Sequence, residues 1–299
     1  MENTILYLLS ILIWGSTWFV ITFQLNVAPE LSVAYRFFLA AGLLFTYSKL
    51  RKLSLRFTLK EHLFIAAAGL LLFSANYILV YYSELYINSG LVAVLFSTVT
   101  IMNVVFSALF LKTPLRAPVV LGSAIGTLGI AIIFWPELAG IQAGDNFMLG
   151  FSMVIASALS ASLGNIMSAR NQKAGLPVIQ TNMYGMFYGA TVTFFFALLR
   201  RAPLTFDPSF SYVASLLFLA LFGSVIAFGA YLTLLGRIGP DRAGYIGVAI
   251  PVVALLLSAS FENLSLEPLQ LVGVSLVILG NAFVLRQRSV SKVPAPASK

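Results

Sequence analysis

The sequence predicts an all-α integral membrane protein of ten transmembrane helices built from two inverted five-helix repeats. Three observations carry that prediction. Of the 299 residues, 60% are hydrophobic and only 9% are charged, against roughly 25% charged in soluble domains. The apolar residues fall in long uncharged runs joined by short connections, and the second half of the chain repeats the first at a fixed offset. With a mean hydropathy of +0.96, the chain belongs in a bilayer. It has no cysteine, which excludes a disulfide scaffold, a cysteine zinc site and a redox thiol centre.

Crossing the hydrocarbon takes about 20 mostly apolar residues, which places the spans at roughly 4–23, 31–48, 62–82, 89–111, 117–135, 147–168, 178–199, 212–235, 243–261 and 268–285. The first of these, within MENTILYLLSILIWGSTWFV, has an acidic start, no small-residue cleavage site and enough length to span. It is therefore read as helix one and not as a signal peptide. The short connections carry breakers at Pro29, Pro114, Pro136, Pro177, Pro203, Pro240 and Pro268.

The net charge of +8 would point to nucleic acid if the basic residues formed a stripe beside stacking aromatics, but they sit between the apolar segments. With the N-terminus inside, Lys49, Arg51, Lys52, Arg56, Lys60, Lys112, Arg116, Arg170, Lys173, Arg237, Arg242, Arg286, Arg288, Lys292 and Lys299 are cytoplasmic, 15 of the 18 basic residues. Arg200 and Arg201 alone lie outside, and Arg36 falls within a span. The asymmetry predicts that both termini are cytoplasmic, and topology accounts for the pI near 9.8. The tail at 289–299 is polar and Pro-rich and is expected to be a disordered cytoplasmic segment.

Sliding the chain on itself by 151 residues pairs Ser107 with Ser258, Ala108 with Ala259, Phe110 with Phe261, Leu115 with Leu266, Gly122 with Gly273, Leu128 with Leu279 and Gly129 with Gly280. Five helices per copy is an odd number, so the second copy enters the membrane upside down. The expected units are 1–140 and 141–288. Inverted repeats of this kind mark alternating-access transporters, with the substrate site near the midplane between the copies.

The opening Ile13-Trp14-Gly15-Ser16-Thr17-Trp18-Phe19-Val20, the Arg36-Phe37-Phe38 of helix two, the stretch from Ala243 to Pro251, and Glu262-Asn263-Leu264-Ser265 followed by Gly273 and Gly280 resemble the EamA family of the drug/metabolite transporter superfamily. The resemblance implies a ten-helix, metabolite-exporting carrier of the bacterial inner membrane, of the kind that includes amino-acid exporters. One departure stands out. The acid equivalent to Glu262 in the first repeat is Leu111 here, so no paired acidic device operates at that position.

Polar side chains at bilayer depth tend to face the bundle interior or a wet cavity. Helix three presents Ser74, Tyr77, Tyr81 and Glu84 on one face, with Asn76 beside it. Helix four presents Ser89, Phe96, Thr100, Asn103 and Ser107 at intervals of three and four. These residues either line a pathway or bond between helices as packing glue. Trp14 and Trp18 lie one turn apart in helix one, with Trp14 away from the interfacial belt where Trp gathers. The Trp14 ring either stacks on substrate or is a core side chain whose N–H has a partner.

Tyr184 and Tyr188 of helix seven, Tyr231 of helix eight and Tyr245 of helix nine are candidates for the rest of a substrate-binding wall. So is Ser160, although its row Ala156, Ser160, Gly164, Ser168 has the four-residue spacing of close helix packing. Gly122 and Gly126 form a GxxxG with the same default reading. In helix nine, Gly244, Gly247 and Pro251 interrupt the helix, which makes a hinge or a dipole end aimed at a carboxylate. Arg36, five residues into helix two, is read as snorkelling to the outer surface or reaching Glu30. His62 stands alone at the start of helix three and is given no role.

The ten acids all fall at termini, in loops or at helix ends, so transport down a gradient or by exchange is more economical than an obligatory proton relay. Glu84 is the acid closest to breaking that rule. A phosphorylated substrate would need several cations in the cavity, and only Arg36 is available. The expected substrate is therefore a neutral or zwitterionic metabolite, foremost an amino acid with a sizeable apolar side chain. No catalytic residues, metal site or cofactor are expected, and the chain has no GxxxxGK[ST] loop for ATP. Membrane lipid and a small-molecule metabolite are the expected partners, with no nucleic acid and at most a weak homodimer. A channel or a lipid scramblase is the alternative class, since either could use a polar-lined bundle.

Overall fold

The computed structural model describes residues 2–87, 89–115, 117–133, 135, 145–261 and 268–285. Among these the chain is helical with short connections. In chain order, α1 is Glu2–Ile21 and α2 is Pro29–Leu50. Helix α3 runs Leu59–Ser83, and α4 comes in two pieces, Ser89–Phe96 and Val99–Leu111. Next come α5 at Ala117–Ile133, α6 at Asp145–Lys173 and α7 at Val178–Leu199. Helix α8 is Phe210–Ile238, α9 is Pro240–Ala243 followed by Ile246–Phe261, and α10 is Pro268–Leu285. Each of the ten expected spans coincides with one of these helices. Seven are long and apolar enough to cross a membrane, and the remaining three are shorter apolar helices. The tail at 289–299 lies outside the described residues.

Local chemistry explains the ends. Thr58 and Glu61 form a capping box at the start of α3, Ser209 caps α8, and Pro29 opens α2 at a position where its missing N–H costs nothing. Gly239 takes a φ of +90° between α8 and α9, a conformation open to glycine. Along the spans, hydroxyls satisfy themselves on the preceding turn: Ser10 donates to Leu6 O at 2.8 Å and Thr17 to Trp14 O at 2.9 Å. Large apolar side chains such as Leu12, Phe195 and Ile278 point outward, as a lipid-facing surface requires.

The helices pack about a pseudo-two-fold axis. A Cβ on Gly129 would meet Gly273 O at 2.7 Å, and one on Gly280 would meet Gly122 O at 2.7 Å. Because the repeat pairs Gly122 with Gly273 and Gly129 with Gly280, these two contacts are images of one another. They let α5 and α10 touch backbone to backbone, as small residues do in membranes. Other pairs obey the same exchange: α1 packs on α8 and α9, and its counterpart α6 packs on α3 and α4, while α2 pairs with α7.

Two π-helical segments break the α-helical ladder, Leu71–Ala75 in α3 and Leu219–Ile226 in α8. They fall in corresponding helices of the two copies. A π-turn shifts the backbone register and leaves carbonyls free for side chains, and neighbouring residues use them. Ser160 donates to Leu71 O at 2.8 Å, Trp14 Nε1 to Gly223 O at 3.1 Å and Ser224 to Leu219 O, five residues back, at 3.0 Å.

Candidate functional site: a cavity between the repeats

A cavity of about 80 Å³ lies between the two copies. Its walls come from α1, α3 and α4 of the first repeat and from α6, α8 and α9 of the second, which are the equivalent helices of each. From α1 come Trp14, Thr17, Trp18 and Ile21, and from α3 come Leu72, Asn76, Tyr77 and Val80. Phe96 and Val99 add a wall from α4, Ala161 and Asn165 from α6, Phe228 and Tyr231 from α8, and Gly244, Ile246, Gly247 and Ile250 from α9. The surface is mostly aromatic and aliphatic. Trp14 packs edge-on against Phe228 at 4.9 Å and beside Tyr231 at 5.0 Å, and Trp18 sits 5.6 Å from Phe96. The Trp14 N–H is paired with Gly223 O, as a core indole requires, while its ring faces the cavity.

Few polar groups face the space. Asn76 is held by Ser157, which donates to its Oδ1 at 2.7 Å. Asn165 Nδ2 donates to Asn103 Oδ1 at 3.3 Å and leaves its own Oδ1 with no hydrogen-bond partner. Thr17, the hydroxyls of Tyr77 and Tyr231, and the turn at Gly244–Tyr245 complete the set.

Of the twelve expected wall residues, five line this cavity: Trp14, Trp18, Asn76, Tyr77 and Tyr231. The other seven do not. Tyr81 is fully buried and donates to Gln24 Oε1 at 2.8 Å. Thr100 donates to Gly244 O at 2.9 Å, and Asn103 accepts from Ser162 at 2.8 Å. These two form a polar knot between α4, α6 and the break in α9, directly behind the lining residues. Ser160 is spent on the π-segment carbonyl of α3.

Tyr184 donates to Leu55 O at 2.9 Å and Tyr188 bonds His62 Nδ1 at 2.9 Å, so both sit at the opposite end of α3, with His62 as the joint between α3 and α7. Tyr245 points away from the cavity because the turn at Gly244 reverses successive side chains. Its hydroxyl bonds Gly122 O on α5. Hydroxyl and amide stripes at helical spacing thus divide between wall and glue according to which neighbour each face meets.

The interruption in α9 lies at Gly244–Tyr245, where the first piece of the helix ends. Pro251 sits inside the second piece without ending it. Gly244 is needed for close approach, since a Cβ there would collide with Asn103 Nδ2 and Pro240 O. A Cβ on Gly247 would crowd Val99 and Thr100. On the far side of this knot, the ends of α4, α6, α8 and α9 surround a wider polar cavity lined by Lys173, Arg237, Asp241 and Arg242 among others.

Arg36 corrects the expectation placed on it. It does not snorkel, being 0% exposed, and it does not reach Glu30. Glu30 accepts instead from Tyr82 Oη at 2.9 and 3.0 Å. The guanidinium turns inward, donating through Nε to Ser224 Oγ at 2.9 Å and lying 4.5 Å over the Tyr77 ring. The sequence offers no signal for this placement beyond the position of an arginine within a span, because its partner Ser224 is presented by a π-turn.

The model of the EamA-like transporter family matches the chain twice, over residues 3–135 and 148–286. YedA, an uncharacterized inner membrane transporter of Escherichia coli (strain K12), is 31% identical over 277 residues, covering 91% of this chain and 87% of its own. A probable amino-acid metabolite efflux pump of the same organism is 27% identical over 315 residues, covering 98% of each chain. A solved crystal structure superposes with a TM-score of 0.79 at 19% identity, covering 95% of this chain and 96% of that one. The two family matches coincide with the two copies related by the glycine contacts, and the chain belongs to the EamA-like transporter family, membrane transporters made of two repeated units.

Proposed function

We propose that the chain is a secondary carrier that exports amino acids with apolar or aromatic side chains, or close zwitterionic relatives, across a bacterial inner membrane by alternating access. Both termini are cytoplasmic in this reading, and the driving force is the substrate gradient or exchange. One observation carries the proposal: an aromatic-walled cavity with few polar groups, built from equivalent helices of two inverted repeats. Trp14, Trp18, Phe96, Phe228 and Tyr231 suit an apolar side chain. The unpaired Asn165 Oδ1 suits an ammonium donor. That a relative of similar length is named a probable amino-acid metabolite efflux pump fits the same substrate class.

The size of the cavity supports a moving mechanism. At about 80 Å³ it is far smaller than the roughly 300–1,000 Å³ of sites that enclose drug-sized ligands, so the walls have to part to admit an amino acid. Gly244 and Gly247 are the places on α9 where that motion is easiest, with Pro251 as a second point of weakness. Among the described residues there is no cluster of His, Asp and Glu that could hold a metal, and the proposal needs no cofactor.

The test is flux in proteoliposomes loaded with leucine, phenylalanine or tryptophan. A carrier gives saturable efflux that is accelerated by the same amino acid on the opposite side. Flux that rises linearly with concentration and shows no trans-stimulation would identify a channel, and lipid redistribution without amino-acid flux would identify a scramblase.

A further inference from the structure

Arg36 is a fully buried cation, and among the described residues it has no counter-ion. Its Nε is bonded to Ser224, and its Nη2 lies 3.5 Å from Tyr77 Oη. Its Nη1 has no hydrogen-bond partner. Glu30 and Glu84, at the neighbouring ends of α2 and α3, are engaged or apart. Glu30 is held by Tyr82, and Glu84 makes no hydrogen bond or ion pair with it. Arg237 pairs with Glu2 at 3.0 Å, on exposed side chains.

An arginine cannot shed its proton to escape burial, and an uncompensated buried charge is costly. The faces of Tyr77 at 4.5 Å and Phe37 at 5.3 Å offset only part of that cost. The guanidinium also lies immediately behind the cavity wall. A Cβ added to Gly223 would meet Arg36 Nη2 at 3.1 Å and Thr17 Cγ2 at 3.0 Å, and Thr17 and Tyr77 both line the cavity. The protein thus keeps a desolvated cation beside a space whose described lining residues include no anion.

We propose that Arg36 is the anchor for the substrate carboxylate, reached between Thr17 and Tyr77, and that it selects acids over their uncharged derivatives. The single charge matches a monocarboxylate, whereas a phosphate dianion would leave a buried excess of negative charge. The inference rests on the amino-acid reading of the cavity and deepens it. Ser224 and Tyr77 act as positioning residues that aim the guanidinium.

The experiment compares binding of leucine, phenylalanine and tryptophan with binding of their amides, by ligand-induced thermal stabilisation of the purified full chain. Wild type is expected to bind each acid more tightly than its amide. In Arg36→Gln that preference should collapse, with acid affinity falling about tenfold to a hundredfold, the loss of a hydrogen bond to a charged group, and amide affinity little changed. Arg36→Lys keeps the charge and covers the case in which Arg36→Gln does not fold; it should bind acids more weakly yet still prefer them. Equal binding of acids and amides by wild type, or an unchanged ratio in the variants, would overturn the anchor while leaving the carrier reading intact. Binding of neither class by folded wild type would overturn the amino-acid reading itself, and the anchor with it.

Discussion

The indole N–H of Trp14 donates across 3.1 Å to the carbonyl of Gly223, tying α1 of the first repeat to the π-segment of α8 in the second. The bond exists because a π-turn frees that carbonyl from its own helix. It fixes the ring that forms one side of the cavity, in contact with Phe228 and Tyr231. Trp14→Phe keeps an aromatic surface and removes the donor. Its expected cost is about 1 kcal/mol, the net value of one hydrogen bond, read as a lowered Tm, together with slower transport. Unchanged Tm and turnover would mean that the bond does not restrain the ring.

Contact between Gly129 and Gly273 sets a tight steric requirement on the crossing of α5 and α10. A Cβ on Gly273 would lie 2.6 Å from Gly129 O and a similar distance from Ile133 Cγ1, with backbone on one side and so no easy relief. Gly273→Ala should push α5 and α10 apart and cost about 1–3 kcal/mol, the usual penalty for overpacking. Gly42, which has nothing within 4 Å of its added Cβ, supplies the control: Gly42→Ala should leave the Tm unchanged or slightly raised. Equal melting behaviour of the two variants would refute the tight crossing.

Much of this was legible in the residues, and what was not has identifiable physical causes. Ten spans follow from the length of uncharged runs, and the inverted repeat follows from paired glycines whose contacts then proved reciprocal. Trp14, Trp18, Asn76, Tyr77 and Tyr231 could be picked out because aromatic and polar groups at depth must face the interior. Periodicity does not say which interior neighbour a face meets, so it groups Tyr184, Tyr188 and Tyr245 with the wall although they bond Leu55, His62 and Gly122. The π-segments leave no periodic trace, and with them went the site that receives Arg36.

Orientation can be read directly, since the chain has no cysteine to interfere. A single cysteine in place of Arg56, between α2 and α3, should be protected from a membrane-impermeant maleimide in intact cells and labelled after lysis. The basis is the concentration of Lys and Arg in the connections on that side. Labelling at position 56 in intact cells would invert the proposed topology.

Helix α9 should respond differently at its two weak points. Gly244→Ala places a methyl against Asn103 and Pro240 O, disturbing the cavity itself, so substrate affinity and rate should both fall. Pro251→Ala restores a backbone donor within a continuous helix, so turnover should slow while affinity changes much less. Wild-type turnover in Pro251→Ala would remove that residue from the moving part.

Glu84 decides the energetics. It is buried just beyond the end of the α3 span, and neither carboxyl oxygen has a hydrogen-bond partner. Burial raises its pKa well above the ordinary carboxylate range. An unfolded glutamate ionises at about pH 4.3, so above that pH the folded chain holds a proton that the unfolded chain releases. Stability should therefore be full at low pH and decline as pH rises through the raised pKa. Glu84→Gln removes this titration and should melt higher than wild type at neutral pH, with a flatter pH profile. Because the amide stands in for the neutral acid, transport down a substrate gradient should persist in the variant, and a pH gradient alone should not concentrate substrate in wild-type proteoliposomes. Concentrative uptake driven by pH alone, and lost in Glu84→Gln, would make Glu84 a proton relay and replace gradient-driven transport with antiport.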